Sequence, residues 1–173
     1  RQHALHKFRL AFLIVHVRSN KLESFLPLFP DLLSVEKTKE AVQKGVNRLL
    51  TMTTEEGGLA YWPGGREPSA WATAHGGAAL VLASRLGAQV PENRLKSLLT
   101  SLSASLRSKQ DMMTPALFTE RAYALWTLAV AGQAEPAYHE TLFARREEMP
   151  ASARALLALA VADRKSTRLN SSH

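Results

Sequence analysis

The sequence predicts an all-α fold of successive antiparallel helical hairpins, and three observations carry that prediction. Apolar residues recur at spacings of three, four and seven in one segment after another. Glycine and proline fall between those segments, where helices stop and start. No stretch alternates apolar and polar residues for long enough to make a strand. The 173-residue chain is 46% apolar and 21% charged, which supplies one hydrophobic core and argues against disorder.

The first helix has Ser34 placed to cap it and Glu36 in its first turn. Val35, Val42, Val46, Leu49 and Leu50 form its apolar stripe, and Glu55-Glu-Gly-Gly58 is expected to stop it. Tyr61-Trp-Pro-Gly-Gly65 cannot be helical, because Pro63 lacks an amide donor and two glycines accept positive φ.

Ser69 is a cap for a second helix over 70–86, made of small residues with a Gly76-Gly77 pair at its middle. Glycine inside a helix costs about 0.5–1 kcal/mol relative to alanine. The pair therefore points to close approach by another backbone. Gly87 ends this helix and Pro91 opens the next, whose Leu95, Leu98, Leu99, Leu102 and Leu106 share one face. Asp111–Thr114 reads as a loop, and Pro115 opens a helix to about Ala131 with Leu117, Ala124, Leu125 and Leu128 inward. Gly132 stops it. A shorter helix starts at Pro136 and a last one runs from Pro150 through Ala162. The alternation of helices with Gly/Pro loops makes a weak repeat, about 40–50 residues per helix pair, as in helical arrays.

The formal charge is +7. The final eleven residues, Asp163–His173, match a common sequencing adaptor translated codon by codon, and they are set aside as an adaptor-derived tail. Arg164, Lys165 and Arg168 against Asp163 account for two of those charges, leaving +5 scattered over the rest. That is a solvated surface rather than a phosphate-binding face, so no nucleic-acid partner is expected. An adaptor at the end, with Arg1 at the start, marks the chain as an expected internal piece of a longer protein.

With no cysteine, disulfides, a thiolate nucleophile and thiolate metal sites are excluded within these residues. Leu10-Ala-Phe-Leu-Ile-Val15 is too short to span a bilayer, and no small-residue cleavage site follows it. Residues 1–24 are accordingly read as a buried segment or as scrambled sequence.

Gly57-Gly-Leu-Ala-Tyr-Trp-Pro-Gly-Gly65, followed by Pro68-Ser-Ala-Trp-Ala-Thr-Ala-His75, resembles bacterial members of the alpha-2-macroglobulin family. There a helix ends in a G-G-x-x-x-W turn and W-x-T-A opens the next. Glu120-Arg-Ala-Tyr-Ala-Leu125 with Ala129-Val-Ala-Gly132, and Met149-Pro150 with Ala153-Arg-Ala-Leu156, are similar to later stretches of the same domain. The likeness covers about residues 25–162 and preserves order and spacing.

The resemblance implies part of an α/α toroid, in which outer helices surround inner ones and helix 70–86 is an inner one. It divides the chain into 1–24, poorly interpretable and a candidate for a frameshift; 25–162, a partial thioester-type helical domain; and the tail 163–173. An incomplete ring leaves apolar faces without their natural partners, so 25–162 alone is expected to be marginally stable. The family's internal thioester joins a cysteine and a glutamine in Y-P-x-G-C-x-E-Q, whose cysteine would fall near Val17. His16-Val-Arg-Ser-Asn-Lys21 stands there, so no thioester forms in this chain as written. Either the chain resembles the branch that lacks the cysteine, or this region is read in the wrong frame, since another frame can encode Ser-Val-Glu-Gln. The implied parent is a periplasmic, non-enzymatic protease inhibitor. Its partners are the proteases it traps, it takes no cofactor, and its anchor is a lipid at the inner membrane.

Residue by residue, no catalytic, cofactor-binding or metal-ligating side chain is nominated. His75 has no H-x-x-x-H or H-E partner and reads as packed or hydrogen-bonded. His139 and Glu140 read as surface, and His3 and His6 belong to the doubtful N-terminus. Trp62, Trp71 and Trp126 could form a carbohydrate platform, the basis of an alternative reading as a glycan-processing or cyclase-like toroid enzyme. That reading needs two converging acids, and Glu55, Glu56 and Glu67 flank glycine turns instead. Arg66 and Glu67 are candidates for a local pair. The glycine pairs lack the lysine of a phosphate loop. Ser69 caps a helix, and Arg121 with Tyr123 belongs to inter-helix packing. A plain helical scaffold is the third reading.

Overall fold

A computed structural model describes residues 35–108 and 112–170, with the side chains of Val35 and 164–170 left out of the description. The expected Ser34 cap, the apolar run at 10–15, the His16–Lys21 stretch and His3 and His6 lie outside the described residues. Within them the fold is all-α: α1 (Val35–Leu50), α2 (Ala70–Arg85), α3 (Glu92–Arg107), α4 (Pro115–Val130), α5 (Pro136–Ala144) and α6 (Ala151–Asn170), with a 3-10 turn at Arg146–Glu148. The only β pairing among the described residues is a single bridge between Thr53 and Leu59. No described helix is long and apolar enough to cross a membrane.

The helices form two layers. His75 of α2 meets Tyr123 of α4 and Thr127 of α4 reaches Ala74, while Trp126 of α4 meets Asp163 of α6. Each helix of this row is thus joined to the next, so α2, α4 and α6 stand side by side. α1 packs on α2, α3 on both α2 and α4, and α5 on both α4 and α6, which makes the second layer. Gln43 on α1 exchanges hydrogen bonds with the backbone of Gln89 just beyond α2, which fixes that hairpin.

Burial explains the composition of the row. α2 is buried on most sides, at Thr73, Ala74, Gly76, Gly77, Ala78 and Leu80–Ala83, and α4 is buried continuously from Ala124 to Val130. Helices covered all round need apolar residues all round, not a stripe. A Cβ on Gly77 would lie 2.7 Å from Leu98 Cδ2 and 3.4 Å from Leu102 Cδ1 and Thr127 Cγ2. The missing side chain makes room for side chains of α3 and α4 against α2, not for another backbone as the glycine pair suggested. In the outer layer α3 buries Leu98, Leu99, Leu102 and Leu106, with Leu95 partly covered, and α1 buries Val46 with Val42, Leu49 and Leu50 partly covered. Apart from Val35, whose side chain is outside the description, both stripes are those read from the sequence.

Helix ends follow local chemistry. Ser69 accepts from Ala72 N and Thr114 from Leu117 N, with Pro115 in the first turn of α4. Gly87, at φ 86°, closes α2 with Gly87 N bonded to Ser84 O and Ala88 N to Ala83 O. Pro91 stands at the cap of α3, one residue outside it.

Three details differ from the sequence reading. α1 stops at Leu50 rather than at Glu55, because Thr51 and Thr53 donate their hydroxyls to the carbonyls of Arg48 and Leu50 (2.7 and 2.8 Å) and turn the chain early. α6 runs past Ala162 to Asn170, since nothing in Asp163-Arg-Lys-Ser-Thr-Arg-Leu breaks a helix. His139 is 3% exposed, not on the surface: the short α5 packs on both α4 and α6 and turns His139 and Leu142 inward, while Glu140 is exposed as expected.

Candidate functional site

The turn between α1 and α2 is built before the groove it borders. Thr54 N and Oγ1 both donate to Gly58 O, at 2.9 and 3.2 Å, and Ala60 N donates to Met52 O. Thr73 on α2 then ties this loop down. Its hydroxyl donates to Ser69 O at 2.6 Å and accepts from Leu59 N at 2.9 Å, while Ser69 N donates to Leu59 O. Leu59, Ala60 and Thr73 are buried, and Tyr61 and Trp62, the next two residues, are forced outward.

Outside this anchor lies an open groove of about 640 Å³, lined by Tyr61, Trp71, Met112, Thr114, Ala116, Leu117 and Glu120. It sits where α2 and α4 begin. Tyr61 and Trp71 supply aromatic rings, and Glu120 is the one charged residue among the described lining residues. Burial pushes the Glu120 carboxyl above its usual value, against the opposing charge of Arg121. Glu120 forms no hydrogen bond or ion pair with a described residue. Arg121 donates to Ser108 O at 2.6 Å.

Behind the groove an aromatic ladder joins the inner helices. Trp71 stacks on His75 with ring centroids 3.6 Å apart, and His75 stacks on Tyr123 at 3.7 Å. Tyr123 meets Trp126 edge-on at 5.3 Å. The Trp126 indole donates to the Asp163 carboxylate at 3.0 Å in a buried site. His75 Nδ1 lies 3.0 Å from Trp71 O, one turn back on its own helix. Burial holds His75 below its ordinary pKa, partly offset by that carbonyl, and burial pushes the Tyr123 phenol up.

The residues weighed from sequence are therefore separated. Trp62 is 75% exposed, Trp71 lines the groove, and Trp126 is 6% exposed and faces α6, so the three tryptophans form no common platform. Glu55, Glu56 and Glu67 are exposed and outside the groove, and Arg66 and Glu67 make no ion pair with each other. Ser69 is the cap it was read as. Among the described residues no group of three or more His, Asp or Glu could hold a metal. Sequence reasoning missed Tyr61, Thr114 and Glu120 as groove residues. The available signal was that Glu120 is the only acid of α4, four residues after Ala116 and three after Leu117, which puts all three on one helical face.

Two layers of packed helices, with an aromatic groove where α2 and α4 begin, define a helical-array protein. Solved structures narrow the class. The chain is 25% identical to trypsin-activated alpha-2-macroglobulin from Escherichia coli over 76% of its length, with a TM-score of 0.67, and covers 10% of that protein. Native E. coli alpha-2-macroglobulin gives 25%, 76% and 0.66, with 9% of that chain covered. A Salmonella alpha-2-macroglobulin reacted with methylamine covers more, 92% of this chain, at 23% identity and a TM-score of 0.67. Fold and sequence together support a segment of the alpha-2-macroglobulin family, spanning about a tenth of the whole-length structures it matches. No protein-family model matches the chain, and no curated protein sequence matches it.

Proposed function

We propose that the chain is a non-catalytic helical segment of a bacterial protease trap of the alpha-2-macroglobulin kind. The observation that carries this is the likeness to bacterial alpha-2-macroglobulins over three quarters of the chain, at 25% identity and a TM-score of 0.67. Residues 25–162 are then part of a toroidal domain, and its inner helices α2, α4 and α6 are the inner members of the ring. The parent is periplasmic and held by a lipid anchor, and Asp163–His173 is the adaptor-derived tail. With no cysteine in the 173 residues, a Cys–Gln thioester has no partner here. Trapping rests on conformational change and steric enclosure, not on covalent capture. The enzymatic alternative finds a single carboxylate, Glu120, among the described residues of the groove, where glycosidic cleavage uses two.

The test is to extend the gene on both sides and express the parent with trypsin. A trap leaves trypsin active on a small chromogenic peptide and blocked on a large protein substrate. The complex dissociates in hot detergent, as a non-covalent one must. Trypsin equally active on both substrates defeats the reading, and a detergent-stable complex defeats its non-covalent part.

A further inference from the structure

We propose that the groove between the 57–69 turn and the start of α4 binds the guanidinium of an arginine presented by a partner polypeptide. Three features of the groove converge on that group. Its walls carry two exposed aromatic rings, Tyr61 and Trp71, and cations are attracted to the faces of such rings. Trp71 is held by its stack on His75, so this ring is oriented before any ligand arrives. Glu120 is the only charged group among the described lining residues, and it forms no ion pair with a described residue, while Arg121 bonds Ser108 O.

A half-buried carboxylate with a cation near it but no direct ion pair is an arrangement that a cationic ligand in contact with it improves. Guanidinium suits the site better than ammonium. It is planar, it stacks on aromatic faces, it meets a carboxylate with two parallel N–H bonds, and it sheds water more readily. The remaining wall, Met112, Ala116 and Leu117, is apolar and matches the methylene stem of an arginine. At about 640 Å³ and open on one side, the groove takes that side chain together with adjoining backbone.

The probe is N-acetyl-arginine methylamide, titrated into the 173-residue chain while the indole N–H signals of its three tryptophans are followed by NMR. W71F identifies the Trp71 signal. The Trp71 signal is expected to move and saturate with the arginine compound. The neutral isostere N-acetyl-citrulline methylamide should bind about fivefold more weakly. Y61A should weaken both compounds, and E120Q should abolish the difference between them while leaving the Trp126 signal in place as evidence of folding. Equal affinity for arginine and citrulline overturns the proposal, as does no movement of Trp71 with either. A lysine analogue that binds as tightly as arginine overturns the choice of guanidinium. A Trp71 shift that grows with protein concentration alone assigns the groove to a second copy of the chain and also overturns it.

Discussion

The rings of His75 on α2 and Tyr123 on α4 lie parallel within 24° at 3.7 Å between centroids, and Trp71 covers the other face of the imidazole at 3.6 Å. A histidine inside such a sandwich is held neutral, because protonation would place charge where water has been removed; burial is the first cause of its lowered pKa.

The sign of the pH dependence follows. The unfolded chain, with His75 near 6.5, binds a proton that the folded chain resists. This contribution to stability is fully present above pH 6.5 and is lost as pH falls through 6.5 toward the lower folded value. Thermal melts from pH 7.5 down to pH 5 should show a decline that H75F lacks. An NMR titration of the His75 ring with a midpoint at or above 6.5 would refute the assignment.

Gly77 and Gly87 are needed for different reasons, and substitution separates them. G77A forces a Cβ against Leu98 and should destabilise by about 1–3 kcal/mol through overpacking, despite alanine's better helix propensity. G87A meets no atom within 4 Å and is penalised only by its positive φ, by about 1 kcal/mol. G87N should recover most of that loss, while G77N should be worse than G77A. Urea denaturation of the four variants checks the contrast.

Thr73 holds the loop that carries Tyr61. T73V removes the acceptor of the buried Leu59 amide and should cost about 1–3 kcal/mol, whereas T73S should cost about 1 kcal/mol or less. Hydrogen exchange at Leu59 should accelerate in T73V and stay slow in T73S. Equal exchange in both would show that the hydroxyl is not the anchor.

The bond from the Trp126 indole to Asp163 joins α4 to α6 at the edge of the expected tail. Ending the chain at Ala162 leaves that buried indole without its acceptor and should lower stability by about 1–3 kcal/mol. In W126F the same shortening should cost markedly less, so the two changes form a double-mutant cycle. Additive costs in chemical denaturation would mean that the bond contributes nothing.

Sequence alone determined the elements whose causes are local. The stripes of α1 and α3, the Ser69 cap, the Gly87 stop and the opening of α4 at Pro115 each depend on residues within a turn or two of one another. The family likeness was likewise legible, because the turn at 57–65 and the helix start at 68–75 keep their order and spacing. Tertiary structure decided what depends on neighbours distant in the chain. His139 looked polar and exposed, but α5 lies on α4 and α6 and buries it. Three tryptophans could have formed one platform, but Trp126 is drawn to Asp163 on α6 while Trp62 is left in solvent. Glu120 stood in a family-like stretch with no site role, and it became a charged wall of a groove only because the 57–69 turn sets Tyr61 opposite the start of α4. Periodicity states which face of a helix is apolar, but a site assembled from two helices and a loop is set by packing, and no single segment encodes that geometry.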